Sequence, residues 1–376
     1  MKVLMFSSDA SLLDAGSEAA QRHQAYASLL DRLHIVVGCR SRSRALVFER
    51  LTIDPSWGRW RPTRWCRMLL AGLSACKRDR PDVVSVQDAA YLGLAGAITA
   101  ACCGLPLQVQ VHEDILSPSY RHASPGAWIR YRMARMILPR AACIRAVSRR
   151  VADSIRADEG IPTDRLQVLP IYTDLQAVRT STPLDDVDRR LARYGVKIVA
   201  AGRFIDETKG WSTLIAAFAG VLAQVPDAVL VLVGRGRERA RYARMIRSLG
   251  VAESVRLEPW RKDLASFLKS FDIYVQPSNH EGWGRTYIEA AAAGLALITT
   301  DVGLVGEIFS PGEDTVVVPA GDRAALAEAM STLCLNPELR SELSNNAMRA
   351  LSRLPHQTSR DYVRAYVEGL QDCLSG

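Results

Sequence analysis

The sequence predicts an α/β protein made of two Rossmann-like domains in tandem. Short Val/Ile/Leu-rich runs alternate with helix-length segments along most of the chain. Those runs are continuously apolar, as expected for parallel strands covered on both faces. The length of 376 residues leaves room for two separate cores.

In the first half, strands are predicted at Val3–Ser7, His34–Cys39, Val83–Gln87, Leu107–His112, Cys143–Val147 and Leu166–Leu169. A helix is predicted from Gly16 to Leu30. The opening Met-Lys-Val-Leu-Met-Phe reads as a strand, without the long apolar core and cleavage site of a signal peptide. Ala89 to Val111 carries no charge and is long enough to suggest a membrane span. Gly104-Leu-Pro106 divides it, so a buried helix followed by a strand is expected instead. In the second half, strands near Ile198, Val229, Val255, Ile273, Leu297 and Val316 alternate with helices. Tyr172 to Gly195, rich in Thr, Asp, Arg and Pro, reads as a linker, and His356 to Leu374 as a final helix. The predicted domains are 1–175 and 176–355, followed by a C-terminal helical segment, 356–376.

Charge is unevenly divided. Residues 1–180 hold 25 Lys+Arg against 16 Asp+Glu, whereas residues 181–376 hold 23 against 24. The densest stretch, Arg40 to Arg80, has 11 basic and three acidic residues, with Trp57, Trp60 and Trp65 interleaved. Indoles and arginines together suit the interface of an anionic membrane. A solvated helix whose tryptophans reach the core is the other reading. No nucleic-acid-binding module is recognisable, so nucleic acid is not expected as a partner. The eight cysteines form no Cys-x-x-Cys pair, and several sit in apolar segments as reduced buried thiols do.

The densest chemistry lies in Glu281-Gly-Trp-Gly-Arg-Thr-Tyr-Ile-Glu289, which follows the strand-like Ile273 to Ser278. A strand, a glycine turn and a helix start present backbone N–H groups to a phosphate. Glu281 falls in the loop, and Glu289 falls roughly 12 Å along the helix at its normal rise. That spacing suits two contacts at opposite ends of a nucleotide-sized ligand, though an ordinary strand–loop–helix unit would read the same way. Upstream, Arg203 and Lys209 flank the loop between another strand and the apolar helix from Trp211 to Val221. Two cations so placed make a candidate diphosphate clamp. His112 ends a predicted strand, at the sheet edge where α/β folds hold ligands.

Gly202-Arg203, Lys209-Gly210, Gly234, Pro277-Ser278 and the E-x7-E element together resemble family 4 retaining glycosyltransferases of the GT-B fold. The resemblance is dense in the C-terminal half and looser before it. It implies two domains facing across a cleft, with a C-terminal helix crossing back to the first. The first domain would bind the acceptor and the second a nucleotide sugar. Arg203 and Lys209 would meet the donor diphosphate, with the main chain at Gly284, Arg285 and Thr286 facing its phosphates. Glu289 would take the ribose, Glu281 the sugar hydroxyls, and His112 would lie beside the transferred sugar. Gly16, in the first strand–helix loop, stands alone where relatives often have two glycines, and Arg285 replaces an aliphatic residue.

The expected activity is therefore sugar transfer from a nucleotide diphosphosugar to a hydroxyl of a glycan or lipid-linked acceptor. No resident cofactor is expected. No metal is expected either, because Glu113 and Asp114 lack an accompanying Asp-x-Asp element. The expected location is cytoplasmic, with peripheral contact to the inner face of the membrane. A nucleotide-sugar 2-epimerase of the same fold and a catalytically silent binding subunit are the alternatives. Acceptor-dependent nucleotide release separates the three.

Overall fold

The structure is a computed structural model that describes residues 1–356 and 358–374. It divides into two compact units, Met1–Pro170 with Thr358–Gly376, and Ile171–Gln357.

The first unit is built on eight strands: β1 (Lys2–Ser7), β2 (Arg32–Cys39), β3 (Leu46–Val47), β4 (Leu51–Trp57), β5 (Val83–Val86), β6 (Leu107–Val111), β7 (Cys143–Ala146) and β8 (Leu166–Val168). They lie in the order β3-β4-β2-β1-β5-β6-β7-β8. Every pairing is parallel except the short β3–β4 contact. The uncharged run forms a helix at Tyr91–Cys103, ends on Gly104 at φ 65°, and continues into β6. Gly96 in that helix is needed for contact, since a Cβ there would lie 2.1 Å from Val86 Cγ1. No helix among the described residues is long and apolar enough to cross a membrane.

The basic stretch differs from the single helix considered from sequence. It is a strand, β4, lying between β2 and the short edge strand β3, followed by the helix Arg61–Asp79. Trp57 belongs to β4 and is flanked by the Arg42 and Arg67 guanidinium groups, 5.0 and 4.8 Å from its ring. Trp65 donates its indole N–H to Tyr91 O at 2.9 Å. Only Trp60 of the three is well exposed, at 68%.

The C-terminal helix, Ser359–Gln371, belongs to the first unit and explains why β6 alternates Gln with Val. Gln108 Nε2 donates to Gly369 O at 3.2 Å, and Gln110 Nε2 to Tyr366 Oη at 2.8 Å. The buried Arg145 donates to Gln110 Oε1, to Tyr362 Oη and to the carbonyls of Leu169 and Pro170. Tyr366 also stacks on Tyr26, with ring centroids 4.0 Å apart. The reading of the cysteines as reduced thiols is corrected at one pair. Cys143 of β7 and Cys373 form a disulfide with Cα atoms 5.2 Å apart, and 230 residues of separation hide such a pair from any local pattern.

The second unit carries β9 (Val196–Arg203), β10 (Ala228–Arg235), β11 (Val255–Glu258), β12 (Ile273–Gln276), β13 (Ala296–Thr300) and β14 (Val316–Val318). All are parallel, in the order β11-β10-β9-β12-β13-β14. Ile198, Leu230, Leu232, Ile273, Val275 and Ile298 join one buried core with the Trp211–Val221 and Arg323–Leu335 helices. The stretch read as a linker holds two short helices, Leu175–Thr180 and Asp185–Leu191.

Candidate functional site

In the second sheet, β9 leads outward to β10 while β12 leads the other way to β13. That reversal opens a crevice at the carboxyl ends of β9 and β12, the usual ligand position in an open α/β sheet. The predicted donor residues of this unit follow these two strands.

At the end of β9, Arg203 is exposed, and its carbonyl accepts the Trp211 indole N–H at 2.8 Å. A one-turn helix, Asp206–Lys209, ends on Gly210 at φ 63°. A Cβ on Gly210 would lie 2.1 Å from Pro277 O, so only glycine lets this loop rest against the end of β12. Asn279 N reinforces the contact by donating to Thr208 O at 2.9 Å. The result places the Lys209 ammonium on the Glu281 carboxylate, both side chains less than one-fifth exposed.

After β12, the loop turns through the buried Trp283, whose indole donates to Ile171 O at 3.2 Å. Gly284, at φ 102° and ψ 52°, then caps the helix Arg285–Ala292. No side chain caps this helix and its first turn holds no acidic residue. Its first backbone N–H groups therefore keep the partial positive charge that attracts phosphate. Thr286 Oγ1 accepts from Tyr274 Oη at 2.7 Å, so its hydroxyl anchors the helix to β12. Glu289 is buried, and Arg285 Nε donates to its Oε1 at 2.8 Å.

His112 and Gly16 belong to the first unit. Gly16 is exposed, and its N–H donates to Asp14 Oδ1 at 3.1 Å. His112 immediately follows β6, and among the described residues its ring nitrogens have no hydrogen-bond partner. Burial, helped by the charges of Arg145 and Arg22, pushes its pKa down to about 3. The residue keeps an accessible edge. A neutral imidazole offers one donor and one acceptor. Nearby, Tyr120 Oη donates to Glu113 Oε2 at 3.3 Å, and Asp88 caps the Tyr91–Cys103 helix through Ala90 N and Leu92 N. Among the described residues, no group of three or more His, Cys, Asp or Glu side chains is placed to hold a metal ion.

Sequence reasoning missed both ion pairs and Gln276, a buried amide at the end of β12. A glutamine closing an otherwise apolar strand was the available signal.

Residues 191–350 match the family described as glycosyl transferases group 1, and residues 19–171 the glycosyl transferase 4-like domain. The lipopolysaccharide core biosynthesis glycosyltransferase LpsE of Rhizobium meliloti is 32% identical over 172 residues, 46% of this chain and 48% of that protein. The phosphatidyl-myo-inositol mannosyltransferase of Mycobacterium leprae is 33% identical over 164 residues, 43% of each chain. The matches thus span about half the length of these relatives. Among solved structures, sucrose-phosphate synthase from Thermosynechococcus elongatus superposes with TM-score 0.81 at 19% identity, covering 99% of this chain and 98% of that one. Anabaena Alr3699/HepE in complex with UDP gives TM-score 0.74 at 19% identity, covering 99% and 100%.

Proposed function

Because the chain belongs to the family 4 glycosyltransferases and shares the GT-B fold, we propose that it transfers a sugar from a nucleoside diphosphate sugar to a hydroxyl, with retained configuration. The observation that carries this is the Lys209–Glu281 pair beside the uncapped Arg285–Ala292 helix, at the β9/β12 crevice. A cation and a row of backbone N–H groups suit a diphosphate, and the adjoining carboxylate suits sugar hydroxyls. Glu289, with one oxygen steadied by Arg285, suits the ribose.

Retaining hydrolysis needs two carboxylates about 5 Å apart, one of them a nucleophile. Glu281 is instead held on Lys209, which favours positioning over attack. On this reading the leaving diphosphate oxygen takes the acceptor proton as the acceptor hydroxyl bonds to the anomeric carbon from the same face. Lys209, Arg203 and the helix N-terminus stabilise the departing charge without a metal. His112 of the first unit, neutral in its setting, offers one donor and one acceptor suited to a sugar hydroxyl.

The relatives' printed activities, on a lipopolysaccharide core and on phosphatidyl-myo-inositol, support a glycan or lipid-linked acceptor. Exposed Trp60, under Arg59, together with Arg61, Arg67 and Leu70, supports peripheral contact with an anionic cytoplasmic leaflet.

A thermal-shift screen with UDP, GDP and their hexose derivatives, with and without EDTA, tests the donor reading. Ligand at about 100 times its dissociation constant adds roughly 2.7 kcal/mol. A selective, EDTA-insensitive shift that E289A abolishes is expected. No shift from any nucleotide in the folded parent would overturn the reading.

A further inference from the structure

In the basic stretch of the first unit, charge is sorted by position. Its three acidic residues stand away from the carboxyl ends of β2 and β4. Glu49 lies in the turn that precedes β4, while Asp54 and Asp79 are taken up by His34 and Arg78. The carboxyl end holds only cations. Arg40 directly follows β2, and Arg61, Arg64 and Arg67 come from the first two turns of the Arg61–Asp79 helix.

Arg64 is packed into this end of the sheet and is half-buried. Gly38 of β2 and Gly58 beyond β4 make room for it. A Cβ on Gly38 would lie 3.5 Å from Arg64 Cδ, and one on Gly58 would lie 2.6 Å from Arg64 Cα. Arg64 Nη1 donates to Gly58 O at 3.4 Å, and Arg67 Nη1 to Trp57 O at 2.7 Å. Among the described residues, no carboxylate pairs with Arg40, Arg61 or Arg64. Burial, then repulsion from Arg40 and Arg61, lowers the Arg64 pKa from its ordinary value. Elsewhere in this unit a surface cation finds its carboxylate, as Arg135 finds Asp158 at 2.9 Å.

A half-buried guanidinium beside two others is costly unless an anion joins them. The fixed fork of arginine matches phosphate oxygens two at a time. The cluster also lies on the sheet edge that carries His112. β6, which leads to His112, is three strands from β2, roughly 14 Å at about 4.8 Å per strand.

We propose that Arg40, Arg61 and Arg64 form a binding site for a phosphate group carried by the acceptor, remote from the hydroxyl that receives the sugar. The link to the acceptor rests on the transferase reading above; the phosphate site itself does not. A lipid headgroup and a soluble phosphorylated glycan share this chemistry.

The test compares the parent with R64M, which keeps an apolar stem against Gly38 and removes the fork. A second variant, R40M/R61M, changes two exposed residues outside every ion pair among the described residues. Inorganic phosphate is titrated calorimetrically at constant ionic strength, with UDP and GDP titrated separately. Both variants are expected to bind phosphate at least about fivefold more weakly, with the preferred nucleotide bound within about twofold of the parent. Sedimentation then identifies the source, using phosphatidylcholine vesicles with about 20% phosphatidic acid or about 20% phosphatidylserine. A preference for phosphatidic acid that both variants lose, and that free phosphate competes away, assigns the site to a lipid. Phosphate binding that both variants lose, without such a preference, assigns it to a soluble ligand. No phosphate binding by the parent, or binding that neither variant weakens, would overturn the proposal. A parent that binds phosphate at Arg64 but neither nucleotide would leave this site standing and overturn the donor reading.

Discussion

Lys209 and Glu281 neutralise each other at the site proposed for a doubly charged diphosphate, so ligand and carboxylate compete for one ammonium. E281Q should therefore act with opposite signs on two readouts. Free nucleoside diphosphate should bind about two- to fivefold tighter, the value of a partly exposed pair at ~0.5–1 kcal/mol. Sugar transfer should fall on the order of a hundredfold, because the sugar loses its orienting acceptor. Calorimetry and nucleotide-release assays read the two effects, and a fall in both would refute competition. His23 gives a second prediction at this scale. Burial, with the charge of Arg22, pushes its pKa down to about 4, while Nδ1 donates to Ala19 O at 2.7 Å. The unfolded chain binds this proton below about 6.5 and the folded chain only below about 4. Stability is thus complete above pH 6.5 and is lost as pH falls toward 4, by on the order of 3 kcal/mol. Urea midpoints against pH should show this slope in the parent and a shallower one in H23Q. Of the residues in the candidate site, the charged ones were legible because phosphate chemistry restricts residue type and spacing. Their pairing was not, since Lys209 meets Glu281 only after two strands distant in sequence lie side by side.

At the scale of elements, the short loop ending on Gly210 fixes where Lys209 stands. G210A would meet both a positive φ and the Pro277 carbonyl. A cost of about 2 kcal/mol or more is expected, together with weakened nucleotide binding. Differential scanning calorimetry with and without nucleotide checks both, and an unchanged melting temperature would contradict the close approach. The parallel strands were legible because strands covered on both faces must be apolar throughout. β4 was not. Asp54 and Pro55 interrupt its pattern, and arginines flank it on both sides. Pro55 is tolerated because it lies past Thr52 and Ile53, the residues paired with β3, on an open edge. The tryptophans illustrate the same limit. Composition grouped Trp57, Trp60 and Trp65 together, but a strand, a helix cap and a helix face send them to three different environments.

For the whole molecule, the first unit is discontinuous, and its last layer is the C-terminal helix. Arg145 holds the chain on its way out, at Leu169 and Pro170, and on its return, at Tyr362. The Cys143–Cys373 disulfide closes the same region. C143S, or reductant added to the parent, should lower the melting temperature, with a loss of about 2–4 kcal/mol. The nucleotide-induced shift should persist. A parent insensitive to reductant would show that helix packing alone retains the terminus. The alternation in β6 of Gln with Val was visible in the sequence, but its meaning required the helix that lies against it.

This connectivity sets an order of events during synthesis. At roughly 5–20 residues per second, the entire second unit is translated, over about ten seconds or more, before the helix that finishes the first unit appears. Through that interval Arg145, Gln110 and Tyr26 face outward without their final partners. The unit translated first is therefore the one completed last, and the nascent chain is most vulnerable at its beginning rather than at its growing end.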